Sequence, residues 1–279
     1  MMATMAQAHA SHLVTIVRDA QLRVQRDEVA VEEPLEIRAR FGSGAAPGRA
    51  VAITMRTPGD DGALAVGFLV GEGMLRARDD LLAIEPQTDA NVLTLHLADG
   101  LADRLPATER HFYRTSSCGV CGKGSIAALQ AVPFAQAVAS RPLPAEMLLS
   151  LAARLGGAQP VFARTGGLHA SALFTFAGEL VAVAEDIGRH NALDKLIGAQ
   201  WLASSLPLGD HVLLLSGRAS FELLQKAMAG GIPVVAALGA PSSLAIDLAQ
   251  AAGITLAGFV KSAGCNLYAH PGRIAEPCP

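Results

Sequence analysis

The period of apolar and polar positions changes repeatedly along the chain, and each change marks an element. Leu13 to Val17 and Gln21 to Gln25 are short alternating runs that predict strands. Glu33-Pro-Leu-Glu-Ile-Arg-Ala-Arg-Phe41 alternates apolar and charged residues, as a half-exposed strand does. Gly42 to Gly48 breaks the pattern, and Val51 to Met55 resumes it until Thr57-Pro58-Gly59 ends the strand. Asp60 and Asp61 then offer a helix N-cap, and Leu64, Phe68, Leu69 and Leu75 recur at helical spacing. Val92 to Leu97 alternates again. Glu109 to Arg114 is expected to be a strand, Ile126 to Val132 a helix, and Ala145 to Leu155 a helix closed by Gly156-Gly157.

Beyond residue 165 the runs shorten. Ala172 to Phe176 and Leu180 to Ala184 read as strands flanking Gly178, and Leu193, Leu196, Ile197 and Trp201 share one helical face. His211 to Leu215, Pro233 to Ala237 and Ile254 to Phe259 are short apolar runs. Helical segments Phe221 to Ala229 and Leu244 to Ala251 separate them. That alternation predicts an α/β fold with a parallel sheet. Ligands of such sheets sit beyond the carboxyl ends of the strands, which singles out the loops Ser216 to Ser220, Leu238 to Ser243 and Lys261 to Asn266. Ser242 and Ser243 are expected simply to cap the helix that follows. The expected organisation is a tail over 1–12, a small β-rich α+β domain over 13–107, a larger α/β domain over 108–274 and a tail over 275–279.

Composition narrows the picture. Only 4% of the residues are aromatic while 51% are hydrophobic, so the core must be built from Ala, Val, Leu and Ile. A net charge of −3 gives no support for nucleic-acid binding. No uncharged apolar run is long enough for a membrane span, and Met1 to Ala10 lacks the pattern of a signal peptide. Four cysteines in 279 residues make no disulfide framework, so a reducing, cytoplasmic setting is expected.

Those cysteines bring in the candidate chemistry. Cys118 and Cys121 stand two residues apart in Ser117-Cys-Gly-Val-Cys-Gly122, with Lys123 next to them. A following helix and a lysine both favour thiolate over thiol, which makes a nucleophile that can carry sulfur. A structural zinc site is the alternative and needs further ligands, among which His169 is conceivable. Glu185, Asp186, Arg189, His190 and Asn191 crowd one strand-to-helix connection and read equally as a pocket wall or a capping network. His169 lies in a small-residue strand, where a hydrogen-bonded core histidine is the simpler reading. Cys265 and Cys278 are expected to be ordinary cysteines. No P-loop and no Gly-x-Ser-x-Gly elbow is complete.

Glu33 to Ile37, Thr54 to Asp60 with Gly67-Phe-Leu69 and Gly71-Glu-Gly73, Ser117 to Gly122, Thr165 to Ala170, Glu185 to Lys195, Ser216-Gly-Arg218, and Gly258-Phe259 with Asn266 to Ile274 follow one another in a fixed order. Together they resemble the formate dehydrogenase accessory sulfurtransferase family. The resemblance implies that sulfane sulfur passes from a cysteine desulfurase to a molybdenum (or tungsten) bis-guanine-dinucleotide cofactor, which serves formate dehydrogenase. It implies a persulfide on Cys118 with Cys121 as partner, and cofactor binding by Phe259, Val260, Lys261, Ser262, Ala263 and Gly264. It further implies a cytidine-deaminase-like three-layer α/β domain and a homodimer, with the cofactor as bound substrate and no permanently bound metal. Arg189, Arg218 and Lys261 are candidate cations for the anionic cofactor. His169, Asp186 and His190 are candidate proton handlers or pocket walls. Deamination is set aside because the His-x-Glu acid is missing: the triplet here is His169-Ala-Ser171. A non-catalytic cofactor-binding chaperone, with zinc at the cysteine pair, is the alternative of a different class.

Overall fold

A computed structural model describes residues 8–42, 48–85, 89–104 and 141–275. The chain opens with an antiparallel ribbon, β1 (His9–Arg18) and β2 (Gln21–Ala30). Its first strand begins at His9, inside the stretch expected to be tail. A four-stranded sheet follows, made of β3 (Glu33–Phe41), β4 (Arg49–Arg56), β5 (Leu81–Ile84) and β6 (Val92–Leu97) in the order β4-β3-β6-β5. Helix α1 (Asp61–Gly71) covers one face of it. The remaining elements are β7 (Leu143–Pro144), α2 (Ala145–Gly156), α3 (Pro160–Thr165), β8 (His169–Thr175), β9 (Leu180–Asp186), α4 (Arg189–Leu202), β10 (His211–Leu215), α5 (Phe221–Ala229), β11 (Val234–Ala237), α6 (Ser243–Ala252), β12 (Thr255–Lys261), β13 (Gly264–Ala269) and β14 (Ile274–Ala275).

The larger sheet runs β13-β12-β11-β10-β8-β9. Its centre, β10, β11 and β12, is parallel as the apolar runs predict. Its flanks are antiparallel, because Gly178 and the Ser262-Ala263 turn each reverse the chain too tightly for a crossover. Alternation sorts the strand side chains into two cores. Leu213 and Leu215 face α4 and α5, while Val212 and Leu214 face Met147, Leu148, Leu151 and Leu155 of α2. The result is helix, sheet, helix: three layers.

One core runs from Leu35, Ile37 and Leu95 of the small sheet, through α1, to α4 and the large sheet. Helix α1 is buried along Leu64 to Gly71, which explains why its apolar positions exceed a single stripe. It meets α4 at Gly67 and Gly198. A Cβ on Gly67 would collide with the Asp194 carbonyl, and one on Gly198 with the Ala63 carbonyl. The two helix backbones therefore touch, and only glycine fits there. The expected boundary near residue 108 and the Cys118–Cys121 loop lie outside the described residues. Among the described residues no helix is long and apolar enough to cross a membrane.

Candidate functional site

The carboxyl ends of β10 and β11 lead into loops that are stitched together by backbone hydrogen bonds. Gly239 N–H donates to Gly217 O at 3.0 Å, Ala219 N–H to Ala240 O at 3.1 Å, Ser242 N–H to Ala219 O at 2.9 Å, and Phe259 N–H to Gly239 O at 3.1 Å. The spacing depends on glycine. A Cβ at Gly239 would stand 3.0 Å from Gly217 O, and one at Gly258 only 2.9 Å from Pro241 Cδ and Tyr268 Cε2.

Because β8 runs antiparallel to β10, its first residue reaches this same edge. Ser171 pairs with Leu215, and His169 pairs with Asp186 at the end of β9. The imidazole of His169 lies under Gly217, whose missing Cβ would be 3.4 Å from Nδ1. Burial pushes the His169 imidazolium below its usual range, and the positive charges of Arg189, His190 and Arg218 push it the same way, with Asp186 opposing. Two of the candidate cations, Arg189 and Arg218, thus gather with both candidate histidines.

Helix ends add to the positive character. Helices α4 and α5 start here with Gly188 and Ser220 as N-caps, and neither receives a side-chain capping bond. Ser242, in contrast, caps α6 by accepting the Ala245 N–H at 3.3 Å, as expected. Of six buried side-chain polar atoms without a hydrogen-bond partner among the described residues, Ser171 Oγ, Arg189 Nε, His190 Nε2 and Ser220 Oγ lie at this edge, while Arg40 Nε and His211 Nδ1 lie elsewhere. His190 Nε2 lies 3.0 Å from Glu222 Oε2 without forming a hydrogen bond to it. Buried polar groups are normally satisfied, and an oxygen-rich anion would satisfy the orphans at these two helix N-termini. Glu222 went unnoticed in the sequence, Ser220 entered only as the end of the candidate loop Ser216 to Ser220, and Ser171 only as the last residue of the His169-Ala-Ser171 triplet. The one signal for Ser171 was a hydroxyl inside a run of small apolar residues.

The crowded connection splits into two functions. Asp186 is fully buried and accepts from Thr57 N–H at 3.1 Å, Gly188 N–H at 2.9 Å and Asn191 Nδ2 at 3.1 Å, with Lys195 Nζ at 2.8 Å. Asn191 Nδ2 also donates to Met55 O at 2.7 Å, and Lys195 Nζ donates to Thr57 O at 2.8 Å. Glu185 caps α3 through the Val161 and Phe162 N–H groups at 3.1 and 2.8 Å. Glu185, Asp186 and Asn191 are thus a capping and locking network that joins Thr54–Thr57 to α4. Of the five, Arg189 and His190 gather with His169, and Asp186, its partner across the strands, is tied into this network.

The segment 259–264 is a hairpin end. Val260 is buried in the second core, while Phe259 is 43% exposed with φ at +53°, and Lys261, Ser262 and Ala263 are on the surface. Gly264 pairs with Lys261. Cys265 follows on β13, half-buried, and burial pushes its thiol pKa up. That is the opposite of an activated sulfur.

A model of the FdhD/NarQ family matches residues 30–275. Sulfur carrier protein FdhD of Streptomyces avermitilis is 49% identical over 269 residues, covering 93% of each chain. The protein of that name from Mycobacterium tuberculosis is 46% identical and covers 97% of this chain and all of its own. That from the archaeon Sulfolobus acidocaldarius is 40% identical over 261 residues, covering 94% of this chain and 96% of its own. The fold matches a crystal structure of a protein put forward as a formate dehydrogenase accessory protein from Desulfotalea psychrophila. The TM-score is 0.74 at 22% identity, covering 96% of this chain and all of that one. On the family match and these identities, the chain belongs to the FdhD/NarQ family.

Proposed function

We propose that this protein is a sulfur carrier that supplies a formate dehydrogenase, working as a cytoplasmic sulfurtransferase and homodimer. Relatives at 40–49% identity carry the name sulfur carrier protein. Sulfur enters by exchange: the Cys118 thiolate attacks the outer sulfur of a desulfurase persulfide. A Cys118–sulfur bond forms, the desulfurase sulfur–sulfur bond breaks, and the desulfurase thiolate leaves. Cys121 relays or resolves the persulfide. The acceptor is a molybdenum or tungsten bis-guanine-dinucleotide cofactor, taken as substrate.

The observation that carries the acceptor half of this reading is the edge occupied by His169, Arg189, His190 and Arg218, with orphan polar atoms at two helix starts. A diphosphate offers the oxygens this edge lacks. Arg189 and Arg218 hold its charge, Ser220 and the first N–H groups of α5 complete the oxygens, and Phe259 to Gly264 border the site. Guanosine diphosphate is the probe that tests the seat. Arg218→Ala should weaken it by about 1.5–3 kcal/mol, roughly 10- to 150-fold, as for hydrogen bonds to charged groups. Unchanged affinity in Arg218→Ala and Arg189→Ala would place the cofactor elsewhere.

A further inference from the structure

The edge proposed to seat an anion contains a carboxylate that attraction of an anion does not call for. Glu222 lies in the first turn of α5, just past the N-cap Ser220, and its Oε2 is 3.0 Å from His190 Nε2. Both side chains are largely buried, Glu222 at 14% and His190 at 16% exposure. The neighbouring acids are engaged in the fold: Asp186 accepts from Thr57, Gly188 and Asn191, and Glu185 caps α3. An acid in a first turn suits the helix dipole. The dipole alone does not call for a largely buried one beside a histidine that shares its surroundings with Arg189 and Arg218. In that position the carboxylate acts on any anion reaching His190, with little solvent screening.

We propose that Glu222 is a specificity-determining residue: it disfavours nucleotides that end in a free phosphate and so favours a diphosphate esterified at both ends. This rests on the reading that the edge seats the diphosphate of a guanine dinucleotide. In a dinucleotide each phosphate is a diester with a single ionisable oxygen. Free GDP and GTP end in a monoester, which carries about −1.5 to −2 at neutral pH. Arg189, Arg218 and the first N–H groups of α4 and α5 attract all of these ligands, so attraction alone ranks them by charge. Discrimination in the other direction needs a repulsive element, and a carboxylate held by the fold supplies one. His190 beside it keeps that carboxylate from being a stranded buried charge. One extra ligand charge about 6 Å from it, at an effective dielectric constant of about 40, loses about tenfold in affinity.

Calorimetric titration of the full chain tests this with GDP, GTP and GDP carrying a methyl ester on its terminal phosphate, without divalent cations to mask ligand charge. The wild type should bind the ester at least as tightly as GDP and GTP, despite its smaller charge. Glu222→Gln should tighten GDP and GTP about tenfold relative to the ester, and Glu222→Asp should keep the wild-type order. A merely structural role for Glu222 would weaken all three ligands together in Glu222→Gln, which overturns the proposal. So does a wild type that already ranks them by charge, GTP above GDP above the ester, a result that needs no variant to fold. Arg218→Ala separates the two possible failures. If it weakens all three ligands while Glu222→Gln leaves their ratios unchanged, the seat stands and Glu222 is not its selector. If no ligand binds the wild type, or Arg218→Ala and Arg189→Ala change nothing, the seat falls and the proposal with it.

Discussion

At the residue scale the fold separates groups that the sequence places side by side. Asp186 and His190 are four residues apart, yet one is sealed in a locking network and the other stands beside Glu222 at the edge proposed to seat an anion. The Asp186–Lys195 pair is buried, so removing one member strands a charge. Lys195→Met or Asp186→Ala should each destabilise by about 3–5 kcal/mol, and the double replacement by less than their sum. Urea titration followed by Trp201 fluorescence reads this; it is the single tryptophan and it is buried. His169 gives a pH signature. Its folded pKa lies below 6.5, so the unfolded chain takes up the proton first. Stability should therefore be level above about pH 7 and fall as pH drops through 6.5, and His169→Gln should remove that part of the loss. Bound guanosine diphosphate should raise the His169 pKa in an NMR titration, since an anion offsets the surrounding cations. Cys265, with its raised pKa, should alkylate slowly at neutral pH beside an accessible model thiol.

At the element scale the decisive contact is α1 against α4. Gly67→Ala or Gly198→Ala forces the two backbones apart, and each should lower stability by about 1–3 kcal/mol or more. Gly59→Ala, where nothing crowds the Cβ, isolates the separate effect of positive φ. The strands and helices from His211 to Phe259 were legible in the sequence because apolar runs of four to six residues, broken by turns, admit few other readings. Helix α3 was not legible. It has only six residues and owes its start to the Glu185 carboxylate, a contact from a distant strand. Strand β13 was missed because Asn266, Leu267 and Tyr268 lack a buried period, lying as they do at the sheet edge. Periodicity also under-read α1: a helix held between a sheet and another helix needs apolar residues all round.

At the scale of the whole molecule, the ordered motifs turn out to do two kinds of work. Thr54–Asp60 and Glu185–Lys195 form the seam that joins the small sheet to the large one. Thr165–Ala170 and Ser216–Arg218 build the edge proposed to seat an anion. Sequence spacing showed that the motifs exist. It could not show this division, which depends on which strand lies next to which. The edge would seat the acceptor, and Cys118 would bring the sulfur. Intact-protein mass spectrometry after incubation with a cysteine desulfurase and cysteine tests the carrier claim most directly. The account predicts a gain of one sulfur atom on the wild type, removed by dithiothreitol and missing from Cys118→Ser. No gain on the wild type, with zinc bound one-to-one by the cysteine pair, would contradict it.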